Sequence, residues 1–352
     1  MYKKMYCKIL IRHKRIFVLI PVFMLVAGLL FLQGGCAKKQ AGEQVSETRL
    51  LLDTVCSITI HGDFEAEHLY EILDRAFEIC LEYEWLFSIT VEGSDMWRIN
   101  HAGGEPVEVN PHTLELIKTG LAFGEISYDM FDITIGRLSR LWSYSWDSTY
   151  GMYIPNEEDV TAAQMTVNHR QLNISDNFVH LDNPNAWIDL GAIAKGYIAD
   201  RIAEYLTQQG VKGALVELGG DVAVIGCRQD GKPWRIGIRK PFGNADEFVG
   251  VLEVTDASVV SSGIYERGFE ENGVWYHHIL DPKTGWPVKT DVVSATVISD
   301  KAVTGEGLST IAVLLYQWDV SVVFEQIPGF IGAILVFDDG EILTYGNVKL
   351  LR

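Results

Sequence analysis

Residues 187–227 read WIDLGAIAKGYIADRIAEYLTQQGVKGALVELGGDVAVIGC, and the order of elements in them decides the fold class. Trp187–Leu190 has the apolar character of a buried strand end. Gly191 and its small neighbours allow a tight turn, and Ala194–Gln209 repeats apolar residues at helical spacing until Gly210 closes the helix. Two strands follow at once, Lys212–Leu218 and Val222–Cys227, joined only by Gly219-Gly220-Asp221. A turn that short pairs strands antiparallel, whereas parallel strands need a long crossover. The stretch therefore breaks strict βαβ alternation and predicts an α+β fold with a substantial antiparallel sheet. The G-x-G-x-x-G spacing of a dinucleotide loop is missing at Gly219-Gly220, which excludes a Rossmann reading.

The same pattern extends to both sides. Upstream, Leu50–Ile60 alternates and is rich in β-branched residues, as a strand is. Phe64–Trp85 spaces Leu69, Ile72, Leu73, Ala76, Phe77 and Cys80 as one face of a helix. His112–Ser127 reads as a helix capped by Asn110 with Pro111 in its first position, and Asn156 can cap a short helix through Thr166. Downstream, Gln229-Asp230-Gly231-Lys232 is a hairpin turn, with strands at Trp234–Ile238, Val249–Val254, Trp275–Leu280 and Val292–Ile298. A helix over Gly307–Tyr316 and a hairpin turning at Asp338-Asp339-Gly340 complete the body. Hydrophobic residues make up 48% of 352, enough for a packed core, and no linker interrupts the body.

The first residues differ in kind. Six basic residues from Lys3 to Arg15 precede an apolar run, Ile16–Leu32, and Gln33-Gly34-Gly35-Cys36 follow. Basic residues hold the cytoplasmic side while an apolar run inserts, so residues 1–35 are expected to be an export signal. The small residues before Cys36 suit lipidation of that cysteine, although seventeen apolar residues also suffice for an uncleaved anchor. Either way, residues 36–49 form a tether and residues 50–352 a catalytic body, membrane-bound outside the cytoplasm. Formal net charge is −18, and −24 once the six basic residues of 1–35 are removed. So acidic a body repels phosphate backbones, which argues against a nucleic-acid partner. Its three cysteines, Cys56, Cys80 and Cys227, are scattered and odd in number, so neither a disulfide scaffold nor a CxxC metal site is expected.

Several clusters could carry chemistry. Ile188–Tyr197 ends a strand on Asp189, turns at Gly191 and opens a helix bearing Lys195, a place where backbone and dipole can meet a phosphate; alone, it is equally an ordinary tight turn. His278–Gly285 sets His278 and Asp281 beside a Pro-Gly turn, where a neutral imidazole could take a hydroxyl proton, or where Asp281 simply caps a hairpin. His277 points to the opposite strand face and reads as a surface or packing histidine. Glu306 and Thr310 are one turn apart at the start of an apolar helix, hard oxygen donors suited to Mg²⁺. Alone, they favour plain helix N-terminal chemistry. Tyr128–Arg137 mixes aromatic and polar residues as a core corner or a ring-binding pocket does.

Taken in order, these segments resemble the FAD:protein FMN transferases, the ApbE-type flavin transferases. The matching stretches are Leu52-Asp53-Thr54, Phe87-Ser88 to Ile99-Asn100, Phe131–Gly136, Asp189–Gly196, Leu218–Asp221, Ser261–Arg267, His278–Gly285 and Gly307-Leu308-Ser309-Thr310. The resemblance implies a T-fold-like α+β body binding FAD, with Mg²⁺ at the pyrophosphate. It implies Mg²⁺ ligands in the Ala192 carbonyl, Glu306 and Thr310. It implies FAD contacts from Leu52, Thr90, Met130, Phe131, Asp132, Asp189, Lys195 and Leu280, with His278 as base and Asp281 beside it. The implied reaction moves FMN from FAD onto a Thr or Ser hydroxyl of an acceptor flavoprotein, such as a subunit of a membrane redox complex, and releases AMP. An FAD pyrophosphatase and a non-catalytic flavin-binding lipoprotein are the alternatives. The chain departs from the family pattern at Glu306, where Asp is usual, at Thr90, where an aromatic residue often stands, and at Asp53, where Gly is common.

Overall fold

The computed structural model describes residues 42–142, 153–315 and 320–351; the expected export segment, Cys36 and residues 37–41 of the expected tether lie outside them. Among the described residues no helix is long and apolar enough to cross a membrane. The described residues begin with a hairpin, β1 (Glu43–Leu51) and β2 (Thr54–Gly62), then α1 (Ala66–Phe87), α2 (Asp95–His101), β3 (Val107–Glu108) and α3 (Pro111–Ile126). Next come α4 (Gly136–Leu141), α5 (Glu157–Gln164), β4 (Leu172–Ser175), β5 (Phe178–Leu181) and α6 (Ala194–Gln208). A run of strands follows: β6 (Gly213–Leu218), β7 (Asp221–Gly226), β8 (Trp234–Arg239), β9 (Phe248–Val254), β10 (Ala257–Gly263), β11 (Gly268–Glu271), β12 (Val274–His277) and β13 (Val292–Ser299). The chain ends with α7 (Ala302–Leu314), α8 (Ser321–Phe324), β14 (Phe330–Phe337) and β15 (Ile342–Gly346).

Eight strands form one sheet in the order β1-β2-β6-β7-β10-β13-β14-β15, and every neighbouring pair is antiparallel. The α+β expectation therefore holds. Alternate residues of β2 (Cys56, Ile58, Ile60) and of β6 (Ala214, Val216, Leu218) are buried, as the two-residue period of a strand requires. Helices α1, α6 and α7 lie side by side against this sheet. Strand β13 is buried along its whole length, its polar residues Ser294, Thr296 and Ser299 included.

The structure corrects several expectations. The stretch Leu50–Ile60 is not one strand but the turn of a hairpin, with Leu52 and Asp53 both left-handed (φ 55° and 54°). Such a turn usually carries Asn or Gly, and apolar alternation running through it hid the break. Strand β1 begins at Glu43, so residues 43–49 belong to the sheet rather than to a tether. Trp187–Leu190 is extended but joins no strand; it holds a single bridge, Trp187 to Ile135. The 229–232 turn exists, with the Arg228 N–H donating to the Lys232 carbonyl (2.9 Å). The strands it joins are not partners, however, since β8 pairs with β9 in a separate ribbon. Finally, α7 starts five residues earlier than its apolar run, because Asp200 of α6 accepts the Ala302 and Val303 N–H groups (2.7 and 3.0 Å) and caps it from a distance.

Candidate functional site

The site forms where α6 and α7 cross. At Gly196 a Cβ would lie 2.5 Å from the Ala302 carbonyl oxygen, so only glycine lets the two helices approach. That approach sets the end of the Asp189 turn against Glu306. Asp189 Oδ1 accepts the Gly191 N–H (2.8 Å), and the Leu190 carbonyl accepts Ile193 and Ala194 (2.9 Å each). Ile193 (φ −145°) leaves the helical path, and the Gly196 N–H donates to Glu306 Oε2 at 2.7 Å instead of extending the helix back to the Ala192 carbonyl.

Lys195 sits between two carboxylates. Its ammonium bonds Glu306 Oε1 and lies 2.9 Å from Asp221 Oδ2; both acids are buried. Burial works against the charge of Lys195, but the two carboxylates outweigh it and hold the ammonium above its ordinary range. Two acids sharing one ammonium leave the cluster one charge negative. That excess negative charge is costly in a buried site: burial first, and Asp221 in addition, raise the Glu306 carboxyl above its ordinary range against the pull of Lys195. Asp221 was only part of a matching motif in the sequence. Its position is set by the Gly219-Gly220 turn, packed on Thr54 of the Leu52 hairpin, where the Gly219 N–H donates to the Val55 carbonyl (3.0 Å). Leu52 is thereby carried to the same end of the sheet as Asp221.

His278 follows β12. Its Nδ1 lies 3.1 Å from the Arg267 carbonyl, which can only accept, so Nδ1 carries the proton and Nε2 keeps its lone pair. Burial, with the charges of Arg267 and Lys195 adding, lowers its pKa to about 3, so the ring is neutral near pH 7. Asp281 was expected beside it, and the Arg267 carbonyl is the group bonded to the ring. Asp281 Oδ1 accepts the Lys283 N–H (2.8 Å), and its carbonyl accepts Gly285 (2.8 Å), which makes it the organiser of the turn. His277 is buried, with Nε2 against the Val288 carbonyl (3.0 Å), as a packing histidine is.

Other expected residues fall into place less directly. Thr310 lies one turn beyond Glu306 on α7 and touches Ser262 (3.1 Å). The Asp189 N–H donates to the Ile133 carbonyl (2.8 Å), tying the Met130–Gly136 corner to the Lys195 turn. In that corner Phe131 is buried against Phe123, and Met130 packs on the core. The Leu280 side chain is buried in a second cluster with Leu138, Trp142 and Val160, which leaves its backbone for any ligand contact. Thr90 is exposed between α1 and α2, its hydroxyl bonded to Ser88 (3.0 Å).

Asp132 is buried, and its side chain is fully engaged. Oδ1 accepts the Thr134 N–H and hydroxyl (2.7 and 2.6 Å), and Oδ2 accepts the His169 N–H (2.9 Å) and faces His169 Nδ1 (3.2 Å). This carboxylate shapes the corner. It holds His169 above its ordinary pKa, against burial and Arg170, with Asp129 adding. A raised folded pKa stabilises the fold below the unfolded value, and the contribution is lost as pH climbs through the folded value. Denaturation of the wild type and His169→Gln should therefore show a larger stability gap at low pH, near pH 6 or below, than at about pH 9.

Among the described residues no three His, Cys, Asp or Glu side chains converge as a metal site. The expected donors are the Glu306 carboxylate, the Thr310 hydroxyl one turn further along α7, and the Ala192 carbonyl, four residues before the Gly196 N–H that Glu306 takes. These are hard oxygen donors around a negative cluster, the chemistry a small divalent cation requires.

The ApbE family model matches residues 52–334. The chain belongs to the ApbE family. It is 37% identical over 247 residues to a Klebsiella pneumoniae protein called FAD:protein FMN transferase, an alignment covering 69% of this chain and 75% of that one. A Treponema pallidum protein of the same name is 30% identical over 90% of each chain. Among solved structures, the ApbE protein of Thermotoga maritima superposes with a TM-score of 0.77 at 32% identity, over 87% of this chain and 97% of that one. The flavin transferase ApbE of Vibrio cholerae gives 0.76 at 28% identity, over 86% and 97%. Within this family member, sequence reasoning missed Asp221, Ser262 and the Arg267 carbonyl as parts of the site. Their signal was present only as motif residues without a role.

Proposed function

We propose that this chain is an FAD:protein FMN transferase that moves FMN from FAD to a Thr or Ser hydroxyl of an acceptor protein and releases AMP in a Mg²⁺-dependent reaction. The observation that carries the reading is Lys195 held between Glu306 and Asp221 within electrostatic reach of a neutral His278, in a chain whose relatives bear that name.

Cleaving FAD between its phosphorus atoms is a phosphoryl transfer, which needs positioning and charge neutralisation more than covalent help. Ala192, Glu306 and Thr310 would hold Mg²⁺, which when bound neutralises charge on the pyrophosphate and the departing phosphate. Lys195 adds positive potential at the same end of α6. His278 Nε2 accepts the proton of the attacking hydroxyl. A bond forms from the acceptor oxygen to the FMN phosphorus, the bond to the AMP phosphate oxygen breaks, and AMP leaves with that oxygen. The Arg267 carbonyl keeps the imidazole in the tautomer this step requires. The enzyme acts from outside the cytoplasm, anchored through lipidated Cys36, on an acceptor such as a membrane redox subunit.

The full chain incubated with FAD, Mg²⁺ and a candidate acceptor should consume FAD, form AMP and leave covalent flavin on the acceptor. FMN and AMP forming in equal amounts with no labelled acceptor would identify a pyrophosphatase, and intact FAD would identify a binder. Because burial and the nearby charges of Arg267 and Lys195 keep the His278 ring neutral well below its ordinary range, kcat/KM should show no acid limb from His278 above about pH 5. An acid limb centred between about pH 6 and 7 that disappears in His278→Gln contradicts this assignment.

A further inference from the structure

A hydroxyl carries one proton and two lone pairs, and it can give both lone pairs to a cation and its surroundings only when the proton is placed elsewhere. Around Thr310 the hydrogen bonds fix where that proton goes. Ser309 Oγ donates to the Glu306 carbonyl at 3.0 Å, which spends its single proton on a group that can only accept. Ser262 Oγ lies 2.8 Å from Ser309 Oγ and must therefore be the donor of that pair. Its own proton spent, Ser262 can only accept from Thr310 Oγ1 at 3.1 Å. The chain of donation runs Thr310 to Ser262 to Ser309 to the Glu306 carbonyl. Thr310 is left presenting oxygen lone pairs alone.

The placement follows from the fold. Ser262 is opposite Ala295 on the β10–β13 ladder, and α7 packs on both strands. Its neighbour Ser261 bonds Thr296 across the same pair of strands (2.8 Å), but alternation turns it to the other sheet face. Of the two serines, Ser262 is the one that bonds α7.

We propose that Ser262 is a positioning residue that makes the Thr310 hydroxyl a pure oxygen donor for a divalent cation. The proposal rests on the reading of Glu306 and Thr310 as metal ligands. It accords with the general role of outer-shell hydrogen bonds, whose loss weakens metal binding about 10- to 100-fold. In Ser262→Ala the Thr310 proton has no assigned acceptor and competes with the cation for the same oxygen.

The test is direct binding of Mn²⁺, as a Mg²⁺ substitute, to the full chain in detergent without FAD, followed by loss of the free-ion paramagnetic resonance signal. Ser262→Ala should bind about tenfold more weakly than wild type. Ser262→Thr should restore binding, and Ser261→Ala should leave it unchanged. Ser309→Ala, which breaks the next link, should weaken binding in the same direction and serves if Ser262→Ala does not fold. Wild-type affinity in folded Ser262→Ala, or equal weakening in Ser261→Ala, overturns the positioning role while the metal site stands. Absence of Mn²⁺ binding by the wild type overturns both.

Discussion

Replacing His278 with alanine is expected to lower turnover about 10²- to 10⁴-fold, the range for losing a general base, with FAD affinity unchanged. The size follows from what this side chain does and does not do. Its Nδ1–H is committed to the Arg267 carbonyl, so the ring is already in the form that offers Nε2 to an incoming proton. Of the two acids expected in the same site, Glu306 is engaged by Lys195 and Gly196, and Asp281 Oδ1 accepts the Lys283 N–H of its own turn. The ring is half-buried at the end of β12, and its removal opens little core, so the folded fraction should hold. Titrating FAD into the variant separates binding from turnover. Full activity in His278→Ala would remove it from the reaction, and joint loss of binding and stability would make it a packing residue.

The second large effect is on stability. Lys195→Ala is expected to destabilise the chain by about 3–5 kcal/mol in the presence of a chelator, the usual result of removing one partner from a buried ionic cluster. Two buried carboxylates, Glu306 and Asp221, then face each other without a counter-ion. Adding Mg²⁺ should restore much of the loss in the variant and do less for the wild type, whose ammonium already supplies one positive charge. Denaturant melts of both proteins with and without Mg²⁺ read this difference. Equal melts of wild type and variant in chelator would mean that the two acids are not coupled through Lys195.

Local signals made much of this molecule legible. Asn110 with Pro111 announces α3, and Gly210, left-handed at φ 79°, closes α6. The short Gly219-Gly220 turn forces β6 and β7 antiparallel. The order of motifs brought Lys195, Glu306, Thr310 and His278 into one expectation, and the α6–α7 crossing at Gly196 does join Lys195 to Glu306. What stayed hidden depended on partners far away in the chain. The α7 cap comes from Asp200, about a hundred residues upstream, and no local pattern in 300–306 could indicate it. The Leu52-Asp53 turn uses residues that seldom adopt left-handed backbone, so its hairpin looked continuous. The motif named Asp281 beside His278, whereas the group bonded to the ring is the backbone carbonyl of Arg267, just before β11. Backbone acceptors leave no mark in residue identity.

The departure at Glu306 now has a physical consequence. The longer arm of glutamate lets one carboxylate take the Lys195 ammonium with Oε1 and the Gly196 N–H with Oε2. The acid thus couples α6 to α7 as well as facing the expected cation site.

The Lys195 turn, His278 and the Glu306–Thr310 face of α7 are proposed to act on one FAD molecule. The most direct measurement is the intact mass of an acceptor protein after incubation with the full chain, FAD and Mg²⁺, beside the same reaction with Glu306→Ala. The wild type should give an acceptor heavier by one phosphoester-linked FMN, and the variant should leave the acceptor unmodified. An acceptor labelled equally well by both proteins would contradict that proposal.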